Sequence, residues 1–199
     1  MANALTSALT QLHRSGSRVL CRLLLAVSLT AFTFPSTAQP LRSGSDWATL
    51  TQDAVLGDRN KQFELALRYE YQGGPSNLIK AIYWYQEAAK NGHPVAQNNL
   101  GILYNDGRGV ERNLNEAVKW FSESAIQGNS DAQYNLGLKY LRGEGVTQSD
   151  VEAYKWWHLA SNSNDKARRA KEILSRRMSD SELVEAQKRA TDVHLAPTK

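Results

Sequence analysis

The chain has 199 residues, with 24 Lys+Arg against 20 Asp+Glu and a formal charge of +4. Its one cysteine, Cys21, excludes an internal disulfide and a cysteine-built metal site. Most of the positive excess sits in Arg14, Arg18 and Arg22, ahead of the first acidic residue, Asp46. Beyond that point charge is nearly balanced, which removes the concentrated positive field on which nucleic-acid binding rests.

The basic head leads into an apolar run, Leu23 to Phe34, then Pro35 and the small-residue site Ser36-Thr37-Ala38. Together these describe a secretory signal peptide over residues 1–38, cleaved after Ala38. The run is shorter than the roughly 20 residues a bilayer span needs. An uncleaved membrane anchor is the alternative; a lipoprotein signal is not, because Cys21 precedes the apolar run. Cleavage removes three arginines and the cysteine, leaving 21 basic against 20 acidic side chains. The expected product is periplasmic or secreted and large enough for one continuous core.

Residues 39–61 read as a linker and an N-terminal capping helix, Trp47 to Leu56, stopped by Gly57. Three stretches then overlay with almost no gaps. Ala81, Trp84 and Tyr85 recur 36 residues on as Ala117, Trp120 and Phe121, and again as Ala153, Trp156 and Trp157. Asn77, Asn113 and Ser149 keep step ahead of each block, and Gly92 and Gly128 follow the first two. A period in the thirties marks stacked helical hairpins.

The middle repeat shows how one unit works. Ala96, Leu100, Leu103 and Tyr104 form one apolar helical face. Gly107 and Gly109 break that helix and permit the positive φ of a tight turn. Asn113 with Glu116 opens a second helix as a capping box. Leu114, Ala117, Val118, Phe121 and Ala125 point inward, and Gly128 stands where a helix C-terminal glycine belongs. The third repeat copies this, with Ser149 and Glu152 as its cap. The first is looser: FELALRYEY aligns at an offset of 35 and its turn, QGGPSN, is one residue shorter. Small alanines at 117 and 153 allow helices to pack at about 8–10 Å. The three repeats span about 62–95, 96–131 and 132–165. Residues 166–193 form C-terminal capping helices, with a Ser179–Glu182 capping box and Met178 stapled onto Leu183. Residues 194–199 are expected to be a disordered tail.

Catalytic patterns do not emerge. Gly107-x-Gly109 and Gly143-x-Gly145 follow helices and lack the continuation of a phosphate loop, so they read as turns. His93, His158 and His194 stand on separate elements with no metal-helix spacing. No Gly-x-Ser-x-Gly elbow is present. Glu111, Glu116, Glu123 and Asp131 show no acid/base pairing. No cofactor is expected. The rings Tyr83, Trp84, Tyr85, Trp120, Phe121, Tyr154, Trp156 and Trp157 recur with the repeat, so they read as packing rather than as a stacking platform for sugars or bases. The basic cluster Lys166, Arg168, Arg169, Lys171, Arg176 and Arg177 has two readings, a solvated cap or a dock for an acidic partner or anionic lipid.

The pattern Ala-x-x-x-Leu-Gly-x-x-Tyr, Gly-x-Gly-Val, Ala-x-x-Trp-aromatic and Ala-x-x-Gly, running from about Gln62 to Ala170, resembles the Sel-1-like repeat family, relatives of the tetratricopeptide repeats. The resemblance implies an all-α fold: seven to nine helices in a right-handed solenoid of stacked hairpins, capped at both ends. It also implies a non-catalytic, exported interaction module, an adaptor or regulator of an envelope or signalling assembly, monomeric and binding a protein or peptide. A membrane-anchored scaffold is the alternative if the leader stays attached. A cell-wall or β-lactam hydrolase is another, but its cysteine-rich relatives carry a disulfide per repeat that this chain lacks. In related solenoids the first helix of each hairpin lines the concave side. That transfers a partner-binding face to Phe63, Leu67 and Glu70, then Asn98, Ile102 and Asn105, then Tyr134, Leu138 and Leu141. Two leucine-rich rows recur there, Leu65/Leu100/Leu136 and Leu67/Ile102/Leu138. The first is the better core candidate, which leaves the second as a partly apolar groove; the alternative is that both rows are buried.

Overall fold

The computed structural model describes residues 47–195, and every regular element among them is an α-helix. The expected signal peptide with its cleavage site, residues 39–46 and residues 196–199 lie outside the described residues. In chain order the helices are α1 (Trp47–Val55), α2 (Arg59–Gln72), α3 (Pro75–Lys90), α4 (Pro94–Asp106) and α5 (Leu114–Ile126). They continue as α6 (Ser130–Arg142), α7 (Asp150–Ala160), α8 (Asp165–Ser175) and α9 (Asp180–Leu195). Hairpins α2–α3, α4–α5 and α6–α7 stack in sequence, so that α3 meets α4 and α5 meets α6. At the ends, α1 covers α2, while α8 and α9 both pack on α7.

Side chains that cannot continue a helix but can satisfy its first N–H groups set the helix starts. Asp58, His93, Asn129 and Asn164 stand in extended conformation before α2, α4, α6 and α8. Each accepts a hydrogen bond from the first turn, and Asn129 Oδ1 takes Ala132 N at 2.9 Å. Asn113 and Ser149 cap α5 and α7 in the same way. Among the described residues only Ser179 closes a capping box in both directions, with Ser179 N donating to Glu182 Oε2 at 2.8 Å. Glu152, expected to complete a box with Ser149, instead pairs with Lys155 and Arg189 and so ties α9 to α7. Asn77 does not cap: α3 begins earlier, at Pro75 behind Gly74, and Asn77 donates to the Gly73 carbonyl. A proline suited to the first helical position displaces the boundary.

One arrangement joins every hairpin to the helix before it. The carbonyls of Ala54, Ala89 and Ala125, each one residue from its helix end, accept the N–H of Gly57, Gly92 and Gly128. Each also accepts Nε2 of a buried glutamine eight residues on: Gln62 at 3.0 Å, Gln97 at 3.1 Å and Gln133 at 3.0 Å. The glycines hold φ between 79° and 99°, which side-chain-bearing residues rarely adopt.

Within a hairpin the close approach is between a helix and an aromatic ring. A Cβ on Gly101 would lie 2.7 Å from the Phe121 ring, and one on Gly137 would overlap the Trp157 indole. Between repeats, Gly109 and Gly145 bring each loop onto the start of the preceding second helix, against Leu78 with Ile82 and against Leu114. Their φ values of 74° and 75° match the turn chemistry expected from the sequence. The core is therefore a chain of successive clusters, from Leu50 and Leu65 at one end to Trp157, Leu174 and Met178 at the other. Ala81, Ala117 and Ala153 are fully buried in it.

Two predictions follow from this packing. Replacing Gly101 by leucine keeps a good helix former but drives a side chain into Phe121, so it should cost about 1–3 kcal/mol or more. Exposed Glu111→Ala should stay within about 0.5 kcal/mol, and equal melting temperatures for the two would mean that the contact carries no weight. The second concerns the His93 cap, whose Nδ1 must be unprotonated to accept Ala96 N at 3.2 Å. Burial first, then the Arg59 charge, hold its pKa below the ordinary 6.5. The folded state thus favours neutral His93, and the stability it gives is complete above about pH 6.5 and lost as pH falls toward the lower folded value. His93→Asn, the cap α6 and α8 already use, should shrink the fall in stability between about pH 7.5 and about pH 5. His158, also lowered by burial and then by Lys171, contributes equally to both proteins. Identical pH profiles in thermal melts would count against the cap.

Candidate functional site on the first-helix face

Caps in register and glutamine links in register place α2, α4 and α6 side by side, so corresponding residues form rows across them. Leu65, Leu100 and Leu136 are fully buried. The row two residues on is not: Leu67 is 42% exposed, and Ile102 and Leu138 are half-buried. The structure thus separates the two leucine-rich rows in the order the sequence favours.

The remaining expected face residues have individual roles. Phe63 is half-buried and stacks on His93, ring centroids 4.3 Å apart, with Tyr85 behind it at 6.0 Å. Tyr134 stacks on Trp157 at 6.4 Å, and its carbonyl accepts the indole N–H at 3.1 Å. Leu138 and Leu141 pack on the same cluster. Asn98 was expected at the surface but is only 5% exposed, its Oδ1 accepting Nδ2 of Asn135 at 3.0 Å. That amide oxygen is committed to a bridge between α4 and α6, and the buried side chain belongs to the packing rather than to the exposed face. Asn105 holds the buried Lys139 ammonium, which also pairs with Glu144 at 2.6 Å. That hydrogen bond and charge hold the Glu144 carboxyl below the ordinary carboxylate range.

Glu70 closes the upper edge of the face. Its carboxylate accepts the Tyr85 hydroxyl at 2.5 Å and pairs with Arg108 of the next loop. Burial and then the Glu70 hydrogen bond push the Tyr85 hydroxyl pKa well up. Glu70, Tyr85, Asn99, Ile102, Leu103 and Arg108 line a pocket of about 120 Å³, too small for a drug-sized ligand. Sequence reasoning did not reach Tyr85, Arg108, Asn135 or Lys139 as partners of this face. The available signal was Lys139 itself, a lysine at the register position that Leu103 fills one repeat earlier, with Glu144 five residues on.

The tempting alternatives are structural. Trp156 and Trp157 are buried, and Trp84 and Trp120 are half-buried against the core. The residue before each outer tryptophan covers its ring: Tyr83 on Trp84, Lys119 over Trp120 at 5.1 Å and Lys155 over Trp156 at 4.4 Å. A sugar or base would have to displace them. A hollow of about 440 Å³ beside Ile126, Trp156 and Val193 is also lined by Lys155 and Arg189, but both of these cations are engaged by Glu152. Burial opposes ionisation of Glu152, yet the bonds from Lys155 and Arg189 bring its pKa net below the ordinary value. Among the described residues no group of three His, Cys, Asp or Glu is placed to hold a metal ion.

Comparison with known proteins bears on this arrangement. The Sel1 repeat profile matches residues 62–93, 94–129 and 130–165. No curated protein matches the sequence. Among solved structures, a Sel1 repeat protein from Oxalobacter formigenes is 36% identical with a TM-score of 0.59, covering 63% of this chain and 96% of that one. A protective antigen present in uropathogenic Escherichia coli strains, which displays an SLR fold, is 30% identical with a TM-score of 0.69 over 73% of this chain. The alignment spans 32% of that larger antigen. Three consecutive profile matches on three hairpins that stack by the same contacts establish that the chain belongs to the Sel1 repeat family, whose helical repeats mediate protein–protein interaction.

Proposed function

We propose that the protein is an exported, non-catalytic adaptor or regulator that takes a protein or peptide partner along its first-helix face, within an envelope or signalling assembly. The observation that carries this reading is the contrast between the sealed row Leu65/Leu100/Leu136 and the open row Leu67/Ile102/Leu138. The first row is sealed inside the stack, whereas Ile102 and Leu138 of the second pack on the core clusters only in part and stay half-buried. The second leaves a strip of aliphatic surface over a preorganised scaffold, the kind that accepts a helix or an extended segment. With Cys21 as the sole cysteine, the disulfides that mark the hydrolase-linked relatives have no thiols to form them. Export rests on Arg14, Arg18 and Arg22, the apolar run and the Ser36-x-Ala38 site. No helix among the described residues is long and apolar enough to cross a membrane.

A photo-crosslinking amino acid at Ile102 or Leu138, introduced in cells, should capture a partner that the same probe at Lys119 on the second-helix side does not. Leu67→Ala should weaken the captured partner by about tenfold, about 1.4 kcal/mol, with melting temperature nearly unchanged. Capture from Lys119 alone would move the interface, and hydrolysis abolished by one polar substitution would replace the reading with an enzyme. For export, N-terminal sequencing of the cellular protein should find a chain beginning near Gln39 outside the cytoplasm. An intact Met1 in the membrane fraction would instead identify an anchor.

A further inference from the structure

The first-helix face does not end with α6. Asn164 caps α8 as Asn129 caps α6, and Ala167 and Leu174 are buried where Ala132 and Lys139 are buried one repeat earlier. At that register the apolar row Leu67, Ile102, Leu138 gains a fourth member, Ile173, which is 68% exposed. Phe63, Asn98 and Tyr134 are followed by Arg169, and Glu70, Asn105 and Leu141 by Arg176. Arg169, Ile173 and Arg176 are spaced four and three apart, on one side of the helix, and Arg176 keeps helical φ and ψ as the cap residue.

Charge along this face is uneven. Glu70 is neutralised by Arg108, and Lys139 by Glu144. Arg168 of α8 is taken by Asp165, and Arg177, just past the helix end, by Asp150 of α7. The side chains of Lys166, Arg169 and Arg176 are exposed and form no ion pair or hydrogen bond among the described residues, and the Glu172 carboxylate beside them pairs with none. A solvated cap would have no reason to aim its unpaired cations along the apolar row while its other arginines are paired.

We infer that α8 is the cationic end of the partner-binding face, and that it takes a protein segment in which an apolar side chain is flanked by carboxylates, the apolar group on Ile173 and the carboxylates on Arg169, Arg176 and Lys166. This rests on the proposed interaction role of the first-helix face and adds the partner's chemistry and polarity. Arginine suits such a site because its planar fork binds carboxylates in pairs.

The probe is a short fluorescent peptide with a central leucine between pairs of glutamates, tested by anisotropy beside its glutamine counterpart and beside phosphatidylglycerol vesicles. The glutamate peptide should bind more tightly than the glutamine one and lose affinity as salt rises. The double variant Arg169→Gln/Arg176→Gln should weaken it about three- to tenfold, and Ile173→Ser should weaken both peptides. Arg168→Gln/Arg177→Gln, which removes the same net charge from paired positions, should leave binding nearly unchanged. Equal weakening by both double variants, equal affinity for both peptides, or binding to the vesicles without the peptide would overturn the proposal. Crosslinking from Ile102 and Leu138 in the same variants separates the two readings: partner capture that survives with no preference for glutamate sinks this inference alone, whereas loss of all capture sinks the interaction role with it.

Discussion

The solenoid depends on one carbonyl per repeat that receives two hydrogen bonds. Ala54, Ala89 and Ala125 each end a helix, and each would otherwise leave a carbonyl lone pair facing the next hairpin without a donor. A glycine three residues on supplies the first bond, because only a residue at ease with positive φ turns the chain back at that point. A buried glutamine eight residues on supplies the second, from within the following helix. The spacing locks the direction of the new helix to the end of the old one, so the stacking geometry is copied without reference to the rest of the chain. Unmade, the bond would bury an amide with no partner, a cost of about 1–3 kcal/mol per group. At the next site the arrangement stops: Ala160 accepts from Ser163 and Asn164, and the glutamine position is occupied by exposed Arg168. The glutamine link ends there, and α8, still set in register by Asn164 through its cap and its bond to Asp131, is the last helix of that row.

The second constraint is spatial and acts inside each hairpin. Ala66 lies in the cluster with Tyr85, Gly101 against Phe121 and Gly137 against Trp157. Where the larger Ala66 stands, the facing ring is a tyrosine whose hydroxyl reaches on to Glu70; where glycine stands, the ring sits directly over the backbone. Each hairpin thus closes by pairing the least side chain on one helix with an aromatic ring on the other. Dispersion contacts across such a surface are individually small and large in sum, which is why the aromatic positions recur so regularly in sequence.

Much of this was legible before the structure. The repeat period, the alanine and aromatic positions, the turn glycines and the end helices all follow from periodicity, because each repeats a local rule. Three things were not. Asn77 occupies a cap position by register, yet Pro75 starts α3 two residues earlier, and register cannot weigh a proline against a cap. Asn98 reads as a surface amide, and only its pairing with Asn135 on the first helix of the next repeat shows it buried. Gln62, Gln97 and Gln133 recur visibly at 35 and 36 residues, but a polar residue in a helix pattern reads as solvent-facing until its acceptor is known. For Asn98 and the glutamines the deciding partner lies on another helix, at a distance that a single-helix pattern does not encode.

The same separation explains why the repeats describe the scaffold in detail and the partner hardly at all. Positions that stack must meet an identical neighbour one repeat away, so they repeat: alanine, glutamine, glycine, leucine. Positions on the open face meet no neighbour of that kind and are free to differ. Phe63, Asn98, Tyr134 and Arg169 occupy one register and range from rings through an inward amide to an exposed cation, whereas Leu65, Leu100 and Leu136 are identical. Lys139 marks the boundary between the two classes. Its register is otherwise a packing position, and its charge is tolerated only because Asn105 and Glu144 meet it from two sides. Variation that needs such compensation is structural; variation that needs none, as at Arg169 and Arg176, is where a partner's chemistry can be written without disturbing the stack.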